Sequence, residues 1–254
     1  MWEAGQAALG GWLTVPSSFS AEIFAHAGFD WITVDIQHGI IDYQTAVTML
    51  QAISTTETVP FVRVPWNEPG IIMKSLDAGA YGVIIPMINS RAEAEAAVAA
   101  CRYAPHGVRS YGPVRAAIYG GRDYFAHADE EVACIVMIET KEAVERLDDI
   151  LSVPGIDAVY VGPSDLSVSL GLAPAYDHEE AAFVDSIERI VSACGRHKVV
   201  PGIHAGGPVV ARKRLDQGFL MIEMCDDAGS LARSAAGDLK ALRSGPRGDA
   251  GVAV

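Results

Sequence analysis

Eight short apolar runs, rich in Val and Ile, recur along this chain and are separated by amphipathic helical patterns. That alternation indicates βαβ units, in which a helix returns the chain between parallel strands. The runs lie near 10–15, 31–36, 60–64, 82–86, 133–138, 157–161, 198–203 and 218–222. Eight such units in 254 residues predict an α/β fold, the closed (β/α)8 TIM barrel, which typically needs about 250 residues. An open doubly wound sheet is disfavoured because the chain has no Gly-x-Gly-x-x-Gly or phosphate-loop pattern.

The whole chain, residues 1–254, is predicted to form this single barrel domain. Its last stretch, from about 243 to 254, contains Gly and Pro and is expected to be a flexible tail.

Two helices carry start signals. One follows Asp42, and its buried face is predicted to consist of Ala46, Leu50 and Ile53. Another follows Asp177 and Glu180, whose spacing resembles a capping box.

The charge balance argues against one class of partner. The formal net charge is −13, whereas a nucleic-acid-binding protein must present a basic face to the phosphate backbone. No apolar run approaches the roughly 18 residues of a membrane-spanning helix, and the first residues lack a basic segment followed by an apolar one. We therefore expect a cytoplasmic protein that binds neither nucleic acid nor membrane. Its four cysteines have no paired spacing and are expected to be small buried residues.

Four of the apolar runs end in residues that carry chemistry. Asp35, Arg63 and Glu139 are each the last residue on one face of a strand, and Asp165 follows the sixth run. Because catalytic groups of a barrel gather at the carboxyl ends of its strands, we expect these four side chains to meet at one mouth. Two carboxylates without a clustered Cys or His suit a hard cation such as Mg²⁺ or Mn²⁺. The open positions of such a cation can bind a 2-keto acid and stabilise its enolate.

Two further roles follow from the residue types at this mouth. Arg63 could donate to the developing oxyanion, because its charge is permanent and its fork is rigid. His38 could act as an acid or base whose tautomer is set by Asp35. His204 and Glu223, at the ends of the last two strands, have the right position but no evident partner.

Each of these residues also has a structural interpretation. Asp35 could cap a loop, Arg63 could form an ion pair, and Glu139 or Asp165 could cap the helix or turn that follows it. What favours the functional interpretation is their coincidence at one end of one barrel. A covalent lysine mechanism is disfavoured, because the five lysines fall on predicted helices or at the amino end of a strand.

The chain resembles the HpcH/HpaI aldolase family in five motifs. In order, they are Val34-Asp-Ile-Gln-His-Gly39, Val62-Arg-Val-Pro-Trp-Asn67, Arg102-Tyr-Ala-Pro-His-Gly-Val-Arg109, Met137-Ile-Glu-Thr140 and Gly162-Pro-Ser-Asp-Leu-Ser167. Their order and spacing match from Trp12 to about Leu239. The resemblance implies a metal-dependent class II pyruvate aldolase that cleaves 4-hydroxy-2-oxo acids, reversibly, into pyruvate or a substituted pyruvate and an aldehyde.

The resemblance also implies roles for individual residues. Glu139 and Asp165 would bind Mg²⁺, Mn²⁺ or Co²⁺, and Arg63 would contact the keto oxygen. His38 with Asp35 would move the hydroxyl proton. The remaining implied roles are main-chain N–H groups around Ser164 and Asp165 for the carboxylate, Trp12 for the pocket wall, and Asp77 for a neighbouring subunit's site near His38. The expected partners are a small 2-keto acid and an aldehyde, and the expected assembly is a hexamer, a trimer of dimers, whose last helix exchanges between neighbours.

Three positions depart from the family pattern. Met137 stands where many relatives have Gln, Gln37 where Glu is common, and His204 where an apolar residue is usual. Met137 and His204 are expected to line the substrate pocket, so these departures bear on the choice of substrate. An alternative function is a related lyase or decarboxylase that uses a metal enolate on another acid, such as an acyl-CoA thioester or oxaloacetate.

Overall fold

The computed structural model describes residues 1–244 of the chain. The strands in this part are β1 (Ala8–Leu13), β2 (Trp31–Asp35), β3 (Val59–Arg63), β4 (Gly82–Ile85), β5 (Ala133–Ile138), β6 (Ala158–Val161), β7 (Val200–His204) and β8 (Met221–Asp226). The helices are α1 (Ser18–Ala25), α2 (Tyr43–Ile53), α3 (Pro69–Asp77), α4 (Arg91–Cys101), α5 (Ala116–Tyr119), α6 (Tyr124–Glu131), α7 (Lys141–Glu145), α8 (Leu147–Leu151), α9 (Pro163–Ser169), α10 (Ala181–His197), α11 (Pro208–Asp216) and α12 (Asp227–Ser244).

The eight strands close into one parallel barrel in sequence order, with β8 paired to β1. This confirms the predicted (β/α)8 fold and its single domain. The last strand was misplaced, since β8 begins at Met221 and not at 218. Gly218 adopts a φ of +96°, and the N–H of Phe219 bonds to the carbonyl of Arg214. Phe219 therefore closes the end of α11, and the first main-chain hydrogen bonds to the neighbouring strands are those of Leu220.

Alternation along the strands separates two apolar cores. Inward side chains, among them Trp31, Phe61 and Ile135, fill the barrel interior. Outward side chains, such as Ile32 and Val62, pack with the surrounding helices in a larger second core. Because the interior is filled, polar residues that point inward find water or a ligand only at the ends of the strands.

The two predicted helix starts have different outcomes. The Asp42 side chain accepts a hydrogen bond from the N–H of Thr45, and the predicted face of α2 is buried, which confirms that prediction. The capping box was wrong, because α10 begins at Ala181 and Glu180 makes no side-chain cap. Asp177 instead pairs with Lys213 and Arg214; these two cations attract the carboxylate more strongly than free N–H groups do.

The described residues end with α12, whose last turn includes Arg243 and Ser244. The predicted flexible tail therefore overlaps this helix at 243 and 244, and its remainder lies outside the described residues. Among residues 1–244, no helix combines the length and hydrophobicity that crossing a lipid bilayer demands.

Asp227 anchors the start of α12 to the loop after β1. Its buried carboxylate accepts hydrogen bonds from the N–H of Thr14 at 2.9 Å, the N–H of Val15 at 3.2 Å and the hydroxyl of Ser20 at 2.9 Å. These contacts satisfy main-chain donors where β8 and β1 close the barrel. One carboxylate thus joins the two ends of the fold.

We expect Asp227→Ala to lower the free energy of unfolding by about 2 kcal/mol, because buried N–H donors lose their acceptor. Urea unfolding at a fixed protein concentration measures this loss. Asp238→Ala, at an exposed position of the same helix, is the control and should change stability by less than about 0.5 kcal/mol. Equal losses in the two variants would contradict an anchoring role.

Candidate active site

A cavity of about 180 Å³ lies at the carboxyl ends of the strands. Its lining residues come from β2, β3 and β5 to β7 and from the loops after them: His38, Arg63, Met137, Tyr160, Gly162, Pro163, Ser164, Asp165, Tyr176 and His204. Larger spaces lie elsewhere, including a groove of about 510 Å³ beside α10. Charged residues of that groove, such as Asp148 and Arg196, are exposed and paired with each other. Volume alone therefore does not identify the site, whereas convergent buried polar groups do.

Asp35 and Arg63 form a two-point ion pair at the cavity. The register of β2 and β3 sets them side by side, and Arg63 donates from Nε to Oδ1 at 2.9 Å and from Nη2 to Oδ2 at 2.5 Å. Burial alone would raise the pKa of Asp35, but the hydrogen bonds and charge of Arg63 hold it below its usual value. Among the described residues, no atom accepts a hydrogen bond from Nη1 of Arg63, so this donor can serve a ligand.

His38 lies in the turn after β2 and reaches the cavity. Asp35 Oδ1 accepts hydrogen bonds from the N–H of Gln37 at 3.0 Å and of His38 at 3.3 Å. Within residues 1–244, no hydrogen bond joins Asp35 to the imidazole ring, so the tautomer-setting contact suggested by the sequence is not formed. The reason is that the charge of Arg63 and the two main-chain donors already occupy this carboxylate. Asp35 positions the main chain of the His38 turn.

Trp12 lies behind these residues on β1. Its Nε1 donates to Asp35 at 3.2 Å, and the guanidinium carbon of Arg63 lies 4.9 Å from the centre of its ring. The ring also meets His204 edge-on at 5.1 Å and stacks with Tyr160 at 5.4 Å. Trp12 therefore supports the side chains that line the cavity.

Glu139 follows β5 and is buried with only 3% of its surface exposed. Its Oε1 accepts a hydrogen bond from the N–H of Met87 at 2.8 Å, and its Oε2 lies against Gly162, where any Cβ would collide with it. Burial raises the pKa of Glu139 to about 7, and the nearby Asp165 carboxylate adds to the rise. Because Thr140 caps α7, the alternative role of Glu139 as a helix cap is excluded.

Asp165 occupies the first turn of α9, directly after β6. Pro163 begins this helix and has no N–H, so the first free main-chain donors are those of Ser164 and Asp165. Gly162, the residue before the helix, has no side chain that could accept a hydrogen bond from these donors. The cavity thus has a carboxylate and two N–H groups on one short turn.

The donor chemistry of Glu139 and Asp165 fits a hard divalent cation. The described residues contain no group of three or more His, Cys, Asp and Glu side chains that could hold a metal ion, as a closed zinc site would require. Two neighbouring carboxylates, with the charge of Asp165 helping to raise the pKa of Glu139, match the way Mg²⁺ is held by one or two carboxylates, water and substrate. Bound positive charge would relieve their repulsion.

Asp77 lies far from the cavity of its own chain. It ends α3, just before β4 begins, and therefore sits near the amino ends of the strands. Arg109, whose side chain is fully buried, donates to Asp77 Oδ1 at 2.8 Å. Burial raises the pKa of Asp77 despite this partner. Any contribution of Asp77 to a cavity would have to be to that of another subunit.

The sequence predicted the position of His204 and Glu223 at the mouth but not their contacts. His204 Nε2 lies 3.4 Å from Glu223 Oε2, so the two residues that had no evident partner in the sequence are partners of each other. His204 Nδ1 lies 3.2 Å from the hydroxyl of Tyr160. Tyr160 and Tyr176 were missed as lining residues. Tyr160 could have been found by parity, because it shares a face of β6 with Gly162, the position that precedes α9.

Comparison with known proteins gives consistent matches. A sequence model of the family described as HpcH/HpaI aldolase/citrate lyase matches residues 9–234. A hydroxypyruvate/pyruvate aldolase from Rhizorhabdus wittichii is 43% identical over 95% of this chain and 97% of its own. A 4-hydroxy-2-oxo-heptane-1,7-dioate aldolase from Salmonella dublin is 40% identical over 92% of this chain and 89% of its own. The crystal structure of an HpcH/HpaI aldolase/citrate lyase family protein from Burkholderia cenocepacia has a TM-score of 0.89 at 34% identity, covering 94% of this chain and 96% of that one.

We expect the affinity for Mn²⁺ to fall as the pH drops below about 7. The pKa of Glu139 is raised to about 7; above it the carboxylate is ionised, and below it a proton must leave before a cation binds, which weakens affinity by up to about tenfold per pH unit. Calorimetric titration at pH 8 and pH 6 measures the difference. Glu139→Gln should bind weakly at both pH values, and equal affinities in the unmodified protein would refute the assignment.

Proposed function

The chain belongs to the HpcH/HpaI aldolase/citrate lyase family, and on that premise we propose that it is a class II aldolase. It cleaves 4-hydroxy-2-oxo acids reversibly into pyruvate, or a substituted pyruvate, and an aldehyde. Two relatives at 43% and 40% identity carry aldolase names and are matched over nearly their whole length. The enzyme is therefore a carbon–carbon lyase, and its family is dependent on a divalent metal.

One observation carries this proposal. The Asp165 carboxylate, the free N–H groups of α9 and a guanidinium with an unused donor border one cavity of about 180 Å³, and the buried Glu139 carboxylate packs directly behind Gly162 of its lining. A 2-keto acid offers a carboxylate and a keto oxygen on adjacent carbons, which is what these groups would bind together. The proposal therefore depends on the whole set of groups matching both functions of the keto acid, and not on any single residue.

The chain's own groups would hold the keto acid at both ends. The main-chain N–H groups of Ser164 and Asp165 bind its carboxylate, since donors at a helix start favour an anion. Arg63 donates from Nη1 to the keto oxygen, which gains negative charge as the C3–C4 bond breaks. Glu139 and Asp165 would hold the cation, which when bound supplies Lewis-acid stabilisation of that negative charge. Mg²⁺ or Mn²⁺ suits these oxygen ligands best, and Co²⁺ is the third candidate.

His38 would move the proton that cleavage requires. As the C3–C4 bond breaks, its electron pair passes to the keto acid fragment, and the C4 hydroxyl must lose its proton to become the aldehyde. The imidazole accepts that proton and returns it during aldol addition. Asp35 holds both the turn that presents His38 and the guanidinium of Arg63. The imidazole that moves the proton and the guanidinium that binds the keto oxygen therefore keep a constant separation.

Chelation should abolish retro-aldol activity, and Mg²⁺ or Mn²⁺ should restore it, because among the described residues Arg63 is the only Arg or Lys that lines the cavity. The double variant Glu139→Gln, Asp165→Asn should lose at least about 10³-fold in kcat/KM. Pyruvate release from a 4-hydroxy-2-oxo acid is measured by a coupled dehydrogenase.

Glu145→Gln, on the exposed side of α7, is the matched control and should keep its activity. Borohydride with pyruvate should trap no adduct, since the lysines lie on helices or ahead of β7. Activity that survives in the double variant would end the metal assignment. Oxaloacetate and acetyl-CoA in the same assays test the alternative lyase and decarboxylase activities.

The active assembly is a homo-oligomer, a hexamer built as a trimer of dimers. Three leucines of α12 support association, because Leu231, Leu239 and Leu242 are 70%, 51% and 82% exposed. Such apolar surface on a protruding helix is typical of an interface. The position of Asp77 also supports it, since this residue would act near His38 of an adjacent subunit.

Co-expression of two inactive chains tests the shared site. If Asp77 acts in a neighbour's cavity, mixing His38→Ala with Asp77→Asn chains creates some sites that hold both native residues, and up to about a quarter of the activity returns. Each variant expressed alone is the control, and light scattering gives the mass of the assembly. A mixed oligomer without recovered activity would show that Asp77 does not act across subunits.

A further inference from the structure

We propose that Tyr160, His204 and Glu223 form a polar wall of the cavity that binds the C3 hydroxyl of a 3-hydroxy-2-oxo acid. Hydroxypyruvate is the smallest such acid, and the wall would favour it over pyruvate, which has a methyl group at C3. This inference rests on the proposed aldolase function and adds the class of its nucleophilic substrate. The name polar wall refers below to these three residues.

Strand register builds the polar wall from three adjacent strands. His204 on β7 is the cross-strand partner of Glu223 on β8, so both side chains point inward together. Tyr160 on β6 pairs with Gly202, and a Cβ at Gly202 would lie 3.2 Å from the Tyr160 ring. The missing side chain therefore lets the phenol lean across β7 until its hydroxyl lies 3.2 Å from His204 Nδ1.

Packing fixes the polar wall in one geometry. Trp12 stacks with Tyr160 and meets His204 edge-on, while Tyr176 covers the other side of the imidazole with ring centres 5.5 Å apart. Tyr160 is fully buried. Hydrogen-bonding groups held in this way lose little freedom when a ligand binds, which favours specific recognition.

The burial of Glu223 is hard to explain by stability. Its side chain has no exposed surface, and Oε2 accepts hydrogen bonds from the N–H groups of Ala205 at 3.2 Å and Gly206 at 2.9 Å. Oε1 has no hydrogen-bond partner among the described residues. A buried carboxyl oxygen without a partner lowers stability, so its retention beside His204 points to a role in holding that ring.

The polar wall suits an uncharged hydroxyl better than an anion. Burial and, to a lesser extent, the charge of Arg63 lower the pKa of His204 to about 4, so the imidazole is neutral near pH 7. One of its nitrogens then donates and the other accepts. With Glu223 and His204 on one side, the Tyr160 hydroxyl can present either its proton or a lone pair to the ligand.

The position of the polar wall selects C3 and not a remote carbon. Trp12 contacts Tyr160, His204 and the guanidinium of Arg63, and these three side chains line the same small cavity. Arg63 is the proposed partner of the keto oxygen on C2, so the polar wall borders the next carbon of the chain. A methyl group there could not use the hydrogen-bonding capacity that the Tyr160 hydroxyl keeps beside its contact with His204, and sites that bind a substrate hydroxyl discriminate strongly against analogues that lack it.

The test compares kcat/KM for hydroxypyruvate and pyruvate, each with acetaldehyde, in the metal-loaded protein. We expect the unmodified protein to prefer hydroxypyruvate, and Tyr160→Phe and His204→Leu each to lower the hydroxypyruvate-to-pyruvate ratio about tenfold, the factor of one ordinary hydrogen bond. Calorimetric Kd values for the two acids are measured in parallel. If neither acid is turned over, the aldolase function fails, while the Kd ratio still tests the polar wall.

Two control substitutions sharpen the test. Tyr176→Phe removes a hydroxyl from the same cavity but keeps the ring that packs on His204, and it should change the ratio by less than about twofold. Glu223→Ala should lower the ratio, and Glu223→Gln should restore part of it, because an amide can still hold the His204 ring. Unchanged ratios in Tyr160→Phe and His204→Leu, or an equal loss in Tyr176→Phe, would overturn the proposal.

Discussion

The closed parallel sheet is the constraint on which the rest of this molecule depends. Closure in sequence order fixes which residues point inward, and Trp31, Phe61 and Ile135 fill the interior below the mouth. The charged side chains of Asp35, Arg63 and Glu139 lie where their strands end, because a charge deeper in the interior would find neither water nor a partner. Asp35 and Arg63 meet there because β2 and β3 end in register. The active-site geometry is therefore a consequence of strand length and register.

Two buried glutamates show that this mouth is built at the expense of stability. Glu139 and Glu223 both have pKa values raised to about 7 by burial, and each is held by main-chain N–H groups and not by a basic side chain. Arg63 is committed to Asp35, which leaves both glutamates without a full counter-charge. Groups of this kind remain in a fold when a ligand completes them. A cation would complete the pair with Asp165, whereas Glu223 has the neutral His204 ring beside Oε2 and no hydrogen-bond partner for Oε1 among the described residues.

The sequence was sufficient for the features that depend on periodicity. Alternation along each strand predicted the inward position of Asp35, Arg63 and Glu139, and the recurrence of eight apolar runs between helical patterns predicted the barrel. It was insufficient where contacts depend on competition between partners. Asp177 has the spacing of a helix cap but pairs with two cations, and Asp35 is saturated by Arg63 and main-chain donors before it can reach an imidazole. Tyr160 was overlooked because a tyrosine inside an apolar run is normally core, and only the missing side chain at Gly202 turns its hydroxyl toward the mouth.

The mouth divides into two arcs that meet at Trp12. One arc, from β2 through β5 to the start of α9, carries the groups for the shared reaction: an ion pair, two carboxylates and free N–H donors. The other arc, β6 to β8, carries the polar wall. Trp12 contacts both arcs through its Nε1, its face and its edge, so substrate selection can vary on one side while the reacting geometry is preserved on the other. His204, one of the positions where the resemblance implies a departure from the family pattern, lies on the selecting arc, and this placement makes substrate preference the property in which we expect the chain to differ from its relatives.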